Sequence, residues 1–150
     1  MSTSQAKPEL LRQCLRLPTE PEAMRALRHD LRTPINPLLG YCELIVEEAG
    51  EGVPPKFLAG MKDLHVLGTR MLKLTNEVFS DQPSPLHALD RVELHREFCA
   101  PAEAAALLCR QLEQEALAAS LPIAAKDLQR ISVATDRWWK RIERMLVENC

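Results

Sequence analysis

His29 and Asp30 stand side by side in the segment Leu27-Arg-His-Asp-Leu-Arg-Thr-Pro-Ile-Asn36, and Thr33 follows four residues after the histidine. A carboxylate beside an imidazole can hold one ring nitrogen as N–H and leave the other as a nucleophile toward phosphorus. If the segment is helical, Thr33 shares a face with His29. Its hydroxyl could then hold a water for hydrolysis of a phosphorylated species. Arg28 and Arg32 bring positive charge to the place a phosphate would approach. His29 lies two residues from Leu27, about 200° round a helix of 3.6 residues per turn. It is therefore predicted to point away from the apolar stripe, into solvent.

That geometry requires a rigid helix. From Met24 the apolar positions are Leu27, Leu31, Ile35, Leu38, Cys42 and Ile45, in steps of three and four. This is a helical stripe suited to a bundle. It begins after Thr19 or Glu20 with acidic residues in the first turn, which favours the helix dipole. Pro34 and Pro37 interrupt it, and the stripe on both sides predicts a kink there instead of an end. Glu47 to Pro55 reads as a loop, because Gly and Pro break helices. A second helix follows with Phe57, Met61, Leu64, Leu67, Met71, Leu74 and Val78 on one face. A lone hairpin can cover only part of two wide apolar faces. Association of two hairpins into a four-helix bundle is the expected completion, and folding back of residues 86–150 over the open face is the alternative.

The expected organisation is a linker with a short amphipathic piece (Pro8 to Leu17) in residues 1–21, the hairpin in 22–80, a linker in 81–90, and a further region in 91–150. In that region Val92-Glu-Leu-His-Arg-Glu-Phe98 alternates apolar and polar and predicts a half-buried strand. Pro101 is expected near the start of an Ala-rich packing helix running to about Ser120. Pro122 to Ala134 predicts one or two short strands, and Asp136 is expected to cap a final helix. The fold class expected is thus mainly α, a dimeric four-helix bundle followed by a smaller α/β part. Of Trp138 and Trp139, one ring is expected in the core and its neighbour partly exposed.

Composition narrows the partners. The chain has 150 residues with Lys+Arg 19 against Asp+Glu 21, a net charge of -2, so no overall basic field would gather nucleic acid. No apolar run approaches the roughly 18 residues that span a bilayer, and the N-terminus lacks the apolar core of a signal peptide. The cysteines Cys14, Cys42, Cys99, Cys109 and Cys150 are scattered without a CxxC pair. They read as free thiols of a cytoplasmic protein. His65, His87 and His95 are equally scattered and read as structural or merely exposed; no metal site is expected.

The string His29-Asp30-Leu31-Arg32-Thr33-Pro34 resembles the H-box of sensor histidine kinases, whose pattern is His, an acidic residue, an apolar residue, Arg or Lys, Thr or Asn, then Pro. Gly40-Tyr-Cys-Glu-Leu44 continues the likeness, and residues 22–80 resemble the whole dimerisation and phosphotransfer hairpin. The resemblance implies a homodimer in two-component signalling. By it His29 is the phosphoacceptor, Asp30 the general base, and Thr33 the residue that positions water for dephosphorylating a receiver domain. It implies autophosphorylation from ATP and transfer to a response-regulator aspartate. Residues 91–150 resemble, more weakly, the start of the ATP-binding domain. There Asn149 falls on the magnesium-ligating Asn, while Met145 replaces an earlier Asn and Cys150 an Ala. The glycine-rich nucleotide segments are missing, so ATP and Mg2+ chemistry is expected only from a longer kinase or another polypeptide. The alternative is a phosphotransfer protein that does not use ATP, or a non-catalytic docking module for a response regulator.

Overall fold

The computed structural model describes Pro18 and residues 20–148, with side chains as far as Leu146. The short piece from Pro8 to Leu17 lies outside the described residues, as do Asn149 and Cys150. The elements in order are α1 (Pro21–Arg32), α2 (Ile35–Glu47), α3 (Pro55–Val78), a 3-10 turn (Pro85–Ala88), α4 (Arg91–Ala118) and α5 (Pro122–Glu148). No strand occurs among the described residues.

Proline opens three of the helices, where its missing N–H costs nothing: Pro21, Pro55 and Pro122 each sit at or beside the first helical position. Asp90 opens α4 by accepting the Glu93 backbone N–H at 2.8 Å. The connection from α2 to α3 contains Gly52 at φ +89°, a conformation that a side chain would oppose. The connection from α4 to α5 is shorter and places Ser120 at φ +59°.

The predicted hairpin forms as expected. Leu31, Ile35, Leu38, Cys42 and Ile45 are buried from the α1–α2 side, and Phe57, Met61, Leu64, Met71, Leu74 and Val78 from α3. The completion comes from the same chain. α4 packs on α3 and α5, and α5 packs back on α2, so α1–α2, α3, α4 and α5 run round one four-helix bundle. Residues 91–148 cover the face that the first hairpin leaves open.

The expected α/β part is overturned. The stretch read as a strand from Val92 to Phe98 is the first two turns of α4, and Pro101 lies inside that helix instead of at its start. The core face of α4 is Leu94, Phe98, Ala102, Ala105, Cys109, Leu112 and Ala116, again at steps of three and four. Alanine fills three of these seven positions, which weakens the periodic signal, while exposed Val92 and Leu107 blur it further. The strands expected between Pro122 and Ala134 are the start of α5, and Asp136 is mid-helix, paired with Lys140. Of the apolar residues Leu128, Ile131 and Val133 that suggested strands, Val133 faces solvent, as does Ile123, while Leu128 and Ile131 face the core with Trp138 and Ile142.

Trp138 crosses that core from α5 and donates its indole N–H to Thr75 Oγ1 at 3.0 Å. Its ring lies 5.6 Å from that of Phe98, which in turn lies 6.1 Å from Phe79. Trp139 is half-buried and meets His95 edge-on, so the pair divides between core and surface as expected. No buried side-chain N or O atom among the described residues lacks a hydrogen-bond partner.

Candidate functional site

The reactive segment occupies the last turn of α1 and the junction with α2. Pro34 has no N–H to give the Asp30 carbonyl, and its ring crowds that carbonyl, so the helical ladder is interrupted at Thr33 and Pro34. Both residues nevertheless keep right-handed helical dihedrals, -53°/-43° and -77°/-24°. The chain therefore kinks and continues, as the apolar stripe predicts. The His29 carbonyl accepts two bonds from Thr33, the backbone N–H at 3.1 Å and Oγ1–H at 3.0 Å. The hydroxyl proton is thus directed inward, and the Thr33 oxygen can accept a hydrogen bond from a water.

His29, Asp30 and Thr33 are all exposed, while Leu31 between them is buried. The sequence phase places them correctly. Arg28 and Arg32 behave differently from the expectation that they serve the phosphate. Arg28 Nη1 donates to the Phe79 carbonyl at 3.0 Å, and Arg32 Nε donates to Asn76 Oδ1 at 2.6 Å. Both side chains fasten the reactive helix to the end of α3. The last carbonyls of α3 carry partial negative charge, so the cations are well placed there.

Beside the segment runs a groove of about 800 Å³ between the α1–α2 side and α5. Asp30, Thr33 and Tyr41 line one wall; Lys126, Arg130, Arg137 and Arg141 line the other. Arg130 also pairs with the buried Asp127 carboxylate at 2.6 Å and stands 5.8 Å over the Tyr41 ring. Steps of four, seven and four put these cations on one helical face. Sequence reading missed them, because the face is visible only once residues 122–134 are taken as helix. His29 itself is one residue outside the groove lining and projects into solvent.

The other histidines are engaged away from this segment. His65 pairs with Glu43 at 3.1 Å, His87 contacts the Val78 carbonyl at 2.9 Å, and His95 lies 3.5 Å from Glu143. Among the described residues no group of three or more His, Cys, Asp or Glu side chains could hold a metal ion. Residues 91–148 are two long helices, and no glycine follows Gly68 in the sequence. They do not fit the sandwich and glycine-rich loops that would hold Mg2+-ATP, and Asn149, expected to ligate magnesium, is outside the described residues. No helix among those described is long and apolar enough to cross a membrane. Neither a family model, nor a curated protein, nor a solved structure matches the chain.

Proposed function

We propose that the chain is a histidine phosphotransfer protein of a two-component relay. His29 takes a phosphoryl group from the aspartyl phosphate of a receiver domain and returns it to a receiver aspartate. The observation that carries this reading is an exposed imidazole on a fastened helix, followed by Asp30 and Thr33 in the lining of a cationic groove.

In the forward step a ring nitrogen lone pair of His29 attacks phosphorus. The P–N bond forms as the P–O bond to the receiver carboxylate breaks, and that carboxylate leaves with the electron pair. The imidazole proton passes to Asp30 or water. Thr33 accepts a hydrogen bond from the water that would attack a receiver's aspartyl phosphate. Lys126, Arg130, Arg137 and Arg141 stabilise negative charge on the incoming partner. In such a relay step the phosphoryl group arrives already activated, as the receiver's aspartyl phosphate.

The test is to incubate the full chain with 32P-phosphorylated receiver domains, and separately with ATP and Mg2+. Label that arrives from a receiver and is absent in His29→Gln is expected. Label from ATP alone would replace the relay by a kinase. Receiver binding without label would reduce the chain to a docking module.

A further inference from the structure

The two hairpins are superimposable in sequence register. A constant shift of 67 positions, as from Leu31 to Phe98, carries α2 onto α4 and α3 onto α5 with no gap. Under that shift Pro34 falls on Pro101, Cys42 on Cys109 and Glu48 on Glu115. The burial pattern follows the same register. At every position of 35–47 the residue is as buried, half-buried or exposed as its counterpart in 102–114, and the same holds between 61–73 and 128–140. Even the exposed apolar residues Val66 and Val133 correspond. A four-helix bundle needs each helix to be amphipathic, but it does not require two hairpins to share the offset between their two helices, the proline register and the burial of every position in those two stretches. A two-fold repeat of one hairpin accounts for all three. Cys42 and its counterpart Cys109 are neighbours in the core, as matching residues are near such an axis.

The chemistry does not repeat. Arg96 and Ala100 stand where the first hairpin has His29 and Thr33. Nor do the charges. The reactive groove sets Lys126, Arg130, Arg137 and Arg141 against Asp30. Their counterparts are Ala59, Asp63, Arg70 and Leu74, set against Glu97, and Arg70 is tied to Glu97 at 3.1 Å. One face is strongly cationic; the other carries two carboxylates, Asp63 and Glu97, against the single Arg70.

We propose that residues 91–148 are a chemically blank copy of the first hairpin, standing where a partner protomer would stand, so that the folded chain is a monomer with a single anion-binding face. The blank copy both closes the core and lends its last helix as the cationic wall opposite Asp30 and Thr33. The ligand chemistry is that of a phosphoryl group, met by guanidinium and ammonium donors. The proposal stands on register and charge, independent of whether His29 is ever phosphorylated.

Two measurements on the full chain test it. Sedimentation equilibrium from micromolar to near-millimolar concentration is expected to return 16.9 kDa throughout; twice that mass overturns the replacement of a protomer. Titration with inorganic phosphate, followed by amide NMR shifts, is expected to perturb 30–37 and 126–141 and to spare 59–74 and 96–108. Arg137→Glu with Arg141→Glu should remove those shifts, and Lys62→Glu with Arg70→Glu should leave them. Equal shifts on both faces, or none, overturn the single face. Neither outcome depends on labelling of His29, so failure here and failure of the relay reading are separately visible.

Discussion

The first hairpin breaks at its proline and the second does not. Pro34 and Pro101 occupy the same register, yet the helix ends at Arg32 in one case and runs unbroken from Arg91 to Ala118 in the other. The difference lies in the neighbours. Pro34 is followed by Pro37, so two N–H groups are missing within one turn, and Thr33 turns its hydroxyl back onto the His29 carbonyl. Pro101 is surrounded by Ala100, Ala102, Ala104, Ala105 and Ala106, the residue that most favours helix. A single absent bond is absorbed there. The lesson is that the kink belongs to the reactive segment as a whole, and that the fold itself does not demand it.

The largest expected effect that would break this contrast is at His29. His29→Gln should abolish phosphate acceptance while circular dichroism and thermal unfolding stay within error of the parent, since the side chain is exposed. Loss of the fold would mean that the reactive half also carries the core. Next is the matched pair Trp138→Ala and Met71→Ala. Removing Trp138 should cost about 3–5 kcal/mol in urea unfolding, because a fully buried ring and the bond to Thr75 are both lost. Met71→Ala should cost less, though at least about 2 kcal/mol. Reversal of that order would place the mechanical centre in the first hairpin.

The third expectation concerns the paired thiols. Burial pushes Cys42 up to about 12, with Cys109 and Glu43 adding to it, and burial followed by Glu113 pushes Cys109 up to about 12. Their folded values lie above the ordinary one near 9, so the folded state holds those protons more tightly than the unfolded state. The resulting stability is full below pH 9 and is lost as pH rises from about 9 toward 12. Cys42→Ala with Cys109→Ala should flatten the alkaline fall of the urea midpoint relative to the parent. The smallest effect is at the shorter connection. Ser120 pays for a left-handed conformation that glycine adopts freely, so Ser120→Gly should add about 0.5–1 kcal/mol. Gly52 already supplies that freedom in the first hairpin, and Gly52→Ala should lose stability for the same reason.

The first hairpin was legible in the sequence because its core face is built from large residues. Leu31, Ile35, Leu38, Phe57, Met61 and Leu64 mark a helical period without help from the fold. The exposure of His29 followed from Leu27 by phase alone. The second hairpin hid its period. Its core face uses Ala102, Ala105, Ala116 and Ala125, whose small side chains give little apolar contrast to mark a period. A polar residue, Thr135, sits on the same buried face, made harmless by donating to the Ile131 carbonyl. Meanwhile Val92, Ile123 and Val133 put β-branched residues on solvent. The cationic wall was hidden for the same reason, since its spacing has meaning only along a helix. Shared register between the halves leaves only scattered identities, such as Pro34 with Pro101 and Cys42 with Cys109, and becomes plain through burial.

The connector from Phe79 to Asp90 joins the two hairpins in one polypeptide. Tethering fixes their effective concentration, whereas an assembly of separate subunits falls apart on dilution. A cell holding only a handful of these molecules would therefore keep the two hairpins of every chain together, however dilute the protein became.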